Sequence, residues 1–558
     1  MAKADYYVPD NRPWFKHYPQ GIPCHLDYPE IPLSKFLDDS AQSNPNNTAL
    51  IFYGKEITYK ELKELSDKFA RALQDLGIQK GDRVVLLLPN CPQFVIAFYG
   101  IMKAGAIPCP LNPLYTGEEL KYFFKDLEPR IVLTLDAFYS KVKEAEKVTP
   151  QIERIIVTNI ADYFPSLQRT LGKLLRKVPT AKCPGAVSFN NFFKNVEPKY
   201  NEVQVNPKED TALIIYTSGT TGEPKGAKLT HVNINAHLIS ASKLFENLKL
   251  DTVFFGMPNF HVYGIASILG FGILKGMKII LLPQIHIKEL SNLINQKNIN
   301  FLPLVPPVYN GLCEYAEKEN KLFSSIKLAL CGSSPLSSYL LKRLKKIFPS
   351  AFFIEGYGLT ETSSAIIADV PFSEYSKKSG AIGVPFFDAD VKIVDPQTGK
   401  ELSPGESGEI IIRSPQIFRG YWKKPEKTKE ALRDGWFHTK DIGRMDADGI
   451  FYVEGRLDDM INVRGEKVWP REVEKVLEQH PKVKEVAVIG VKDDYYGQAI
   501  KACVVLKEGY QATEKELIDF CKDKLTPQKI PHMVEFFNEL PKSNLGKVLH
   551  YKLREKEK

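Results

Sequence analysis

The residue types best suited to chemistry are concentrated in residues 211–226, which read T-A-L-I-I-Y-T-S-G-T-T-G-E-P-K-G. The apolar run 212–216 predicts a buried strand, and the loop that follows is rich in glycine. Such a loop leaves backbone N–H groups free to surround phosphate oxygens, and Lys225 adds a positive charge. Further hydroxyl donors are Thr217, Ser218, Thr220 and Thr221. The stretch therefore predicts a phosphate-binding loop.

Two other interpretations of this loop fit its residues less well. The P-loop of kinases and ATPases requires G-x-x-x-x-G-K-[ST], whereas Lys225 follows Pro224 and precedes Gly226, so no helix start carries the lysine. A mobile surface loop would explain the glycines, but it would not explain the hydroxyls, the proline and the lysine together. A phosphate site of another type is favoured.

A second stretch, residues 355–362, reads E-G-Y-G-L-T-E-T. Its two glycines let the backbone approach a flat ligand, and the Tyr357 ring can stack on a base. Thr360 can donate a hydrogen bond to a phosphate, while Glu361 offers a hard oxygen ligand for Mg²⁺. Turns of glycine and tyrosine are common in ordinary loops, so this stretch alone is weak evidence for a ligand site. It indicates one because the phosphate-binding loop is also present. Together they predict a nucleotide site with a bound metal.

Composition limits the class of protein. A chain of 558 residues with 43% hydrophobic and 25% charged residues is typical of a soluble globular protein with more than one domain. The net charge of +8 arises from 75 basic and 67 acidic side chains, an excess that permits contact with anionic partners but demonstrates none. The basic residues are dispersed and no recognition module is found in the sequence, so nucleic-acid binding is not expected.

Cysteine usage and hydrophobic runs indicate the cellular setting. The eight cysteines form no C-x-x-C pair, which argues against a metal cluster or a disulfide framework and favours a reducing cytoplasm. The N-terminus lacks the apolar core of a signal peptide, and the longest largely apolar run, residues 262–274, is shorter than the ~18 residues of a spanning helix. We expect a cytoplasmic protein without a membrane span.

The pattern of apolar residues predicts an α/β fold that positions these motifs. Residues 31–210 alternate between helical and strand patterns, and the capping box Thr58-x-x-Glu61 opens a helix that Gly77 ends. From Gly380 the chain changes to short strands and turns. We expect a large N-terminal domain, residues 1–455, of two α/β layers plus a β-rich subdomain near 380–455. A small mobile α+β domain, residues 456–558, should follow.

The run Y-T-S-G-T-T-G-E-P-K-G resembles the nucleotide-binding signature of the adenylate-forming superfamily, which includes acyl-CoA synthetases, firefly luciferase and nonribosomal-peptide adenylation domains. Residues 112–116, N-P-L-Y-T, lie in a longer stretch, 88–128, that is similar to medium- and long-chain fatty acyl-CoA synthetases. The alternative for 112–116 is a plain turn before a helix. The resemblance covers nearly the whole chain from about residue 31. It implies activation of a fatty acid by ATP to acyl-AMP and transfer to CoA, with Mg²⁺.

The resemblance also implies roles for individual residues at the nucleotide. Those expected at ATP or AMP are Thr217, Ser218, Gly219, Thr220, Thr221, Gly222, Lys225, Gly332, Ser333, Gly356, Tyr357, Gly358, Thr360, Asp441, Arg456 and Lys547. Those expected to act in catalysis are Lys547, Glu361, Thr217 and Lys225, with Glu361 and Thr217 at the metal. Asp441 would accept hydrogen bonds from both ribose hydroxyls, a task suited to the two oxygens of one carboxylate.

The other expected sites are those of the acyl group, CoA and the hinge. The acyl site is expected to contain Phe260, His261, Val262, Tyr263 and Gly332. The approach of the CoA arm is expected to contain Arg464, Gly465, Glu466 and Lys467. Asp458 would be the hinge about which the small domain turns, since Lys547 would serve only the first half-reaction.

Two matches depart from the usual pattern of the superfamily. The usual Thr-Gly-Asp appears as Thr439-Lys440-Asp441, which alters the backbone freedom beside the acid. The terminal pattern P-K-x-x-x-G-K is present at residues 541–547, with S-N-L as an uncommon filling.

Several functional questions stay open from the sequence. An acyl-adenylate ligase that uses a carrier protein or another acceptor is one alternative, and a non-catalytic lipid-binding protein on the same fold is another. Residues 163–178 form a basic amphipathic pattern without a single acid, which fits either contact with an anionic bilayer or a surface helix packed on the core. A homodimer is the default expectation. The chain length of the acid stays undetermined: the resemblance points to medium- or long-chain fatty acids, and aromatic or short hydroxy acids stay open.

Overall fold

The computed structural model describes residues 8–166, 180–217, 223–332, 336–371, 378, 380–463, 466–493, 497–542 and 548–557. Within these residues the strands form one nine-stranded sheet, three five-stranded sheets and one two-stranded hairpin. Helices cover the two α/β sheets, as the alternating pattern predicts. The predicted α/β fold class is confirmed.

The nine-stranded sheet forms the centre of the large N-terminal part. Its order is β16-β15-β14-β13-β12-β10-β11-β1-β2, with parallel pairs from β1 to β14 and antiparallel pairs at both edges. The strands are β1 Thr48–Phe52, β2 Lys55–Thr58, β10 Thr252–Phe255, β11 Lys278–Leu281, β12 Phe301–Leu304, β13 Leu328–Cys331, β14 Phe352–Leu359, β15 Ser364–Ala368 and β16 Val384–Pro385. The interior strands are buried on both faces, as expected for parallel strands between helices.

A second, fully parallel sheet and a hairpin complete the α/β part. The sheet has the order β4-β3-β5-β6-β7, from β3 Arg83–Leu87, β4 Ile107–Pro110, β5 Ile131–Leu135, β6 Arg154–Thr158 and β7 Val187–Ser188. The hairpin pairs β8 Thr211–Thr217 with β9 Lys225–Thr230.

Two antiparallel-rich sheets form the rest. The β-rich subdomain contains β17 Asp390–Val394, β18 Gly408–Arg413, β19 Leu432–Arg433, β20 Trp436–Met445 and β21 Phe451–Arg456. The C-terminal sheet contains β22 Ile461–Val463, β23 Glu466–Val468, β24 Val483–Asp493, β25 Gly497–Leu506 and β26 Met533–Phe536. This last sheet has its own apolar core, whose members run from Ile461 to Leu553. The exact domain boundary stays a prediction.

The described α-helices are α1 Lys35–Ser43, α2 Tyr59–Asp75, α3 Pro92–Lys103, α4 Gly117–Leu127, α5 Tyr139–Glu146, α6 Phe189–Phe192, α7 His231–Leu244, α8 Phe271–Leu274, α9 Ile287–Gln296, α10 Pro306–Lys318, α11 Ser338–Ile347, α12 Pro425–Ala431, α13 Pro470–Leu477, α14 Glu514–Lys522 and α15 His550–Glu555. The predicted capping box opens α2, because the Thr58 hydroxyl accepts from the Glu61 amide and the Glu61 carboxylate accepts from the Thr58 amide. Among the described helices, none is long and apolar enough to cross a membrane. Residues 167–179, most of the predicted amphipathic stretch, lie outside the described residues.

The N-terminal segment before residue 31 packs on the β-rich subdomain, which the sequence patterns did not predict. Trp14 is fully buried against Phe451, with ring centroids 5.7 Å apart. The guanidinium of Arg12 forms an ion pair with the buried carboxylate of Asp390. Arg12 and Trp14 stand in the largely polar run N-R-P-W-F-K-H, and no local pattern there points to partners that lie more than 370 residues away.

A buried ion network joins α1, α2 and α3 in the first α/β layer. The Lys103 ammonium is fully buried and lies 2.5 Å from carboxylate oxygens of both Asp38 and Asp67. Lys63 reaches the other oxygen of Asp67, also at 2.5 Å. Removing one partner of such a network leaves an uncompensated buried charge, which is far more destabilising than losing an exposed pair.

We expect Lys103→Met to lower the free energy of unfolding by ~3–5 kcal/mol, because Asp67 would stay buried with only Lys63 as partner. The matched control is Lys35→Met, whose partner Asp39 is half exposed, and which should cost less than ~1 kcal/mol. Urea unfolding of both variants measures the difference. Equal losses would contradict a special contribution of the buried network.

Candidate active site

The β8–β9 hairpin brings the two ends of the predicted phosphate-binding loop together. Thr217 is the last residue of β8, Lys225 is the first residue of β9, and the two are directly paired across the hairpin. The predicted strand 212–216 is therefore confirmed as part of β8. Five predicted residues, Ser218, Gly219, Thr220, Thr221 and Gly222, lie outside the described residues.

Residues 419–422 add a short antiparallel stretch to the other side of β9. Lys228 exchanges backbone hydrogen bonds with Arg419 and Gly420, and the Trp422 amide donates to the Gly226 carbonyl at 2.7 Å. Gly226 has no space for a side chain, since a Cβ there would lie 2.9 Å from the Ile214 side chain. This pairing fixes the residue between them, Tyr421, beside Lys225.

Lys225, Tyr421 and Glu361 form a chain of contacts. The Lys225 ammonium lies 4.6 Å from the centre of the Tyr421 ring, a cation–π distance. The Tyr421 hydroxyl donates to Oε1 of Glu361 at 2.7 Å, and Glu361 is 8% exposed. Burial lowers the pKa of Lys225, and the attraction of Glu361 opposes that effect only in part. The site therefore favours a further negative charge near Lys225.

The residues at this point fit a hard divalent cation. Glu361 lies in the short turn Thr360–Thr362 after β14, and both β8 and β9 contact this turn. Within the described part of the chain, Oε2 of Glu361 accepts no hydrogen bond, whereas Oε1 is held by Tyr421. An oriented carboxylate with one oxygen available is the donor that Mg²⁺ prefers.

A second cluster lies around Asp441, the predicted ribose acceptor. Its Oδ2 accepts from the Tyr357 hydroxyl at 2.7 Å, and its Oδ1 accepts from Nη1 of Arg456 at 2.7 Å. Asp441 and Arg456 are paired across β20 and β21. An ionised carboxylate has about four acceptor positions, so both oxygens can still accept from a ligand. Burial, followed by the charge of Asp441, raises the pKa of Tyr357 well above its ordinary value.

The glycines of residues 355–362 have a structural reason that the sequence argument missed. A Cβ on Gly358 would lie 2.0 Å from the Ser364 carbonyl oxygen, so the close approach of β14 and β15 requires glycine there. Gly356 is less constrained, because its Cβ would meet Ala365 at an ordinary 3.4 Å. Thr360 is buried, 8% exposed, at the start of the turn that carries Glu361.

The predicted acyl residues surround the start of a π-helix, Tyr263–Gly270, which the sequence did not predict and which is frequent at functional sites. The Tyr263 hydroxyl donates to the Leu330 carbonyl at 3.2 Å, and a Cβ on Gly332 would lie 3.1 Å from the Tyr263 ring. Burial lowers the pKa of His261 to about 4, so its imidazole is neutral at neutral pH. Phe260 is partly exposed and Val262 is buried.

An apolar cavity lies behind these residues, between α7, the π-helix and the nine-stranded sheet. Its lining includes Leu330, Ala365, Phe271 and Phe301, together with the polar side chains of His237 and Ser267. Leu330 belongs both to this lining and to the contact with Tyr263. None of the predicted acyl residues lines this cavity, and Leu330 is the residue that connects it to Tyr263.

The remaining predicted residues are described only in part. Asp458 lies in the short turn Leu457–Asp459 that follows β21. Glu466 and Lys467 lie in β23, where only their backbone is described. Ser333, Arg464, Gly465 and Lys547 lie outside the described residues.

The departure at Lys440 keeps the backbone conformation that glycine would adopt. Lys440 has φ = 60°, in the left-handed region, within an irregular step of the β18–β20 pairing. Its amide donates to Oε1 of the buried Glu409 at 3.0 Å, and the Thr439 hydroxyl accepts from the Asp441 amide at 3.0 Å. The position of Asp441 is thus preserved, with backbone strain of ~1 kcal/mol at Lys440.

A carboxyl pair beside the second motif was also missed from the sequence. Oε2 of Glu355 accepts from the Leu336 amide, and Oδ2 of Asp369 accepts from the Glu355 amide, both at 3.1 Å. Burial raises the pKa of each carboxyl to about 7. Both acids are ordinary in sequence, and only the pairing of β14 with β15 brings them together.

We expect Tyr421→Phe to lower the free energy of unfolding by ~1.5–3 kcal/mol, because the buried Glu361 would lose a hydrogen bond to a charged acceptor while the ring stays in place. The control is Tyr452→Phe, whose hydroxyl makes a longer bond, 3.3 Å, to Asp446. Urea unfolding gives both values. If Tyr421→Phe loses no more unfolding free energy than Tyr452→Phe, the stabilising role of the Tyr421–Glu361 bond is refuted.

The raised pKa values of Glu355 and Asp369 predict a pH dependence. The folded state binds more protons than the unfolded chain between about pH 4 and 7, so the stability from this pair is present below about pH 4 and is lost as pH rises to about 7. Glu355→Gln should therefore reduce the fall in unfolding free energy between about pH 5 and 8. Glu514→Gln, an exposed glutamate that also accepts from a backbone amide, is the control and should leave the fall unchanged. An unchanged fall in Glu355→Gln would contradict the shift.

Comparison with known proteins identifies the family. The chain matches the AMP-binding enzyme model over residues 37–422 and the model of the AMP-binding enzyme C-terminal domain over residues 472–547. It is 38% identical over 553 residues to a long-chain-fatty-acid–CoA ligase of Bacillus subtilis, covering 98% of each chain. It is 34% identical over 554 residues to the enzyme of that name from Escherichia coli O157:H7, covering 97% of this chain and 98% of the relative.

A solved structure shows the same architecture. The crystal structure of ATP-bound MatB from Rhodopseudomonas palustris superposes with a TM-score of 0.83 at 28% identity, covering 94% of this chain and 98% of that one. Because the family model spans more than half of the chain and the relatives align over nearly all of it, this chain belongs to the AMP-binding enzyme family.

Proposed function

We propose that this chain is an AMP-forming ligase that activates a medium- or long-chain fatty acid with ATP and transfers it to CoA. The observation that carries the proposal is that Lys225, Glu361 and Asp441 are each held by their own contact in a member of the AMP-binding enzyme family, and that Arg456, the partner of Asp441, interacts electrostatically with Tyr421. The names of the two bacterial relatives support a fatty acid as substrate and CoA as acceptor.

In the first half-reaction, an oxygen of the fatty acid carboxylate attacks the α-phosphorus of ATP, and the bond to pyrophosphate breaks. Two anions must approach each other, so the site has to stabilise charge on the phosphates. Lys225, the amides of the loop after Thr217, and Lys547 of the small domain would do this. A bound phosphate would also stabilise the charged form of Lys225, because its negative charge offsets the cost of burying the ammonium.

The other contacts would orient the nucleotide. Tyr357 presents a partly buried ring to the base, while Asp441 accepts from the ribose hydroxyls and stays fixed by Arg456. Glu361, with Thr217, would hold Mg²⁺, which when bound neutralises phosphate charge and orients pyrophosphate as leaving group. Tyr421 keeps the Glu361 carboxylate in one orientation throughout.

The acyl chain would enter beside His261 and Tyr263, and the apolar cavity beyond Leu330, about 20 Å³ in volume, would have to widen to hold it. The His261 imidazole is neutral at neutral pH, so it can hydrogen-bond near the fatty acid carboxylate without forming an ion pair that would hold the substrate in place. The cavity lining is mostly apolar, which favours a hydrocarbon chain over a polar acid.

In the second half-reaction, the CoA thiol attacks the acyl carbonyl and AMP leaves. No cysteine of this chain is needed as nucleophile, and burial raises the pKa of Cys91 and Cys503 to about 12, so neither is a thiolate at neutral pH. Residues 464–467 would line the approach of CoA. The small domain, residues 456–558, would turn about Asp458 between the two halves to remove Lys547.

We also propose a cellular location and an assembly for the enzyme. Fatty acids partition into bilayers, and the basic amphipathic stretch 163–178 would allow peripheral contact with an anionic membrane surface. A cytoplasmic homodimer is the assembly we propose.

Pyrophosphate release from ATP and Mg²⁺, measured against acids of graded length with and without CoA, tests the function. We expect release with medium- or long-chain acids, accompanied by acyl-CoA when CoA is present. Accumulation of acyl-AMP despite CoA would point to a carrier-protein ligase, and no release with any acid would point to a lipid-binding protein; either outcome would overturn the proposal.

Lys547→Ala should reduce adenylation at least ~10²-fold, because a cation that stabilises the phosphates in the transition state is removed. Thioester formation from supplied acyl-AMP should stay close to the wild-type rate, since Lys547 would be away from the site in that half. Lys552→Ala, an exposed lysine of α15, is the control and should leave both rates unchanged. Equal loss of both half-reactions in Lys547→Ala would contradict the division of roles.

A further inference from the structure

Two consecutive carboxylates in the turn Leu457–Asp459 are held by cations from opposite sides. Asp458 Oδ1 lies 3.6 Å from the ammonium of Lys440, which belongs to β20 of the large part. Asp459 Oδ1 accepts from the Arg554 guanidinium at 2.7 Å, and Arg554 belongs to α15 of the C-terminal part. The two ion pairs thus connect the same turn to two different cores.

The two cations are anchored differently. Arg554 follows Leu553, which is buried in the C-terminal apolar core together with residues of β24 and β25. Lys440 lies in β20, in an irregular step whose backbone is bonded to the buried Glu409. If the C-terminal part turns about Asp458, the pair of Asp459 with Arg554 moves with it, whereas the pair of Lys440 with Asp458 joins the turn to the large part, which does not move with it.

Lys440 occupies its position in spite of backbone strain. Its φ of 60° is one that glycine adopts freely and that lysine adopts at a cost of ~1 kcal/mol. A strained conformation that persists beside a functional site is a reason to look for a role of the side chain. Half of the Lys440 side chain is exposed, so its ammonium gains little from packing, and its visible contact is the carboxylate of Asp458.

We infer that Lys440 is a positioning residue that acts as a releasable catch on the hinge, holding Asp458 in the domain arrangement described here. This inference rests on the proposed hinge at Asp458. The pair is partly exposed, so it should contribute about 0.2–1 kcal/mol, which corresponds to a change of about 1.5- to 5-fold in how often the turn opens. A contribution of this size favours one domain arrangement without preventing the other, whereas a stronger ion pair would lock the domains in one state.

The test is hydrogen–deuterium exchange of amides 457–463 in the full-length protein at low ionic strength. Lys440→Gln should speed exchange about 1.5- to 5-fold, and Lys440→Arg should restore the wild-type rate. Lys440→Gly removes the ammonium and also relieves the backbone strain, so it should give the same increase in exchange rate. The same increase in this variant shows that loss of the charge, and not distortion of β20, speeds the exchange. Lys429→Gln changes net charge equally on exposed α12 and should leave exchange at the wild-type rate.

The salt dependence of exchange completes the test. At ~1 M salt the wild-type rate should approach that of Lys440→Gln, because an exposed ion pair is screened there. Equal exchange in wild type and Lys440→Gln at low salt, or an equal increase in Lys429→Gln, would overturn the inference. The exchange readout needs no activity, so a failure of the proposed ligase function, seen as no pyrophosphate release by the wild type, is distinguishable from a failure of the catch.

Discussion

The contact of the Lys225 ammonium with the Tyr421 ring, and of the Tyr421 hydroxyl with Glu361, is the interaction on which the site depends. It joins three segments that lie far apart in the chain: the β8–β9 hairpin, the turn after β14 and residues 419–422. A half-buried lysine and a buried carboxylate are separated by an aromatic ring, so neither neutralises the charge of the other fully. Burial lowers the pKa of Lys225, which means that an anionic ligand would relieve a cost already present in the fold.

The same logic extends to the rest of the nucleotide site. Asp441 is fixed by Tyr357 and Arg456, and its position survives the replacement of glycine by Lys440 because backbone and side-chain bonds from Glu409 and Thr439 hold the irregular step. The charges proposed to bind ligands are therefore oriented by neighbouring residues. Such preorganisation avoids reorganisation during reaction, and it is the main physical means by which polar sites stabilise developing charge.

Local signals explain what could be predicted from the sequence. The capping box at Thr58, the strand before Thr217 and the α/β alternation all depend on residues a few positions apart, and each is confirmed. Tyr421 was missed because its role depends on pairing with β9, about 200 residues away. The burial of Trp14 on Phe451 was missed for the same reason, and the carboxyl pair of Glu355 with Asp369 was missed because only the pairing of β14 with β15 brings the two acids together. Gly358 stays a predicted nucleotide-binding residue, and its packing against Ser364, which only the fold reveals, also requires glycine there.

Titration of ATP into wild type and Glu361→Gln, each with and without Mg²⁺ and followed by calorimetry, tests the central claim most directly. The claim is that Glu361, oriented by Tyr421, is the metal ligand of a nucleotide site built around Lys225. Mg²⁺ should strengthen ATP binding to the wild type by at least about tenfold, or ~1.4 kcal/mol, and should have little effect on binding to Glu361→Gln. An equal effect of Mg²⁺ on both proteins, with both folded, would contradict the account.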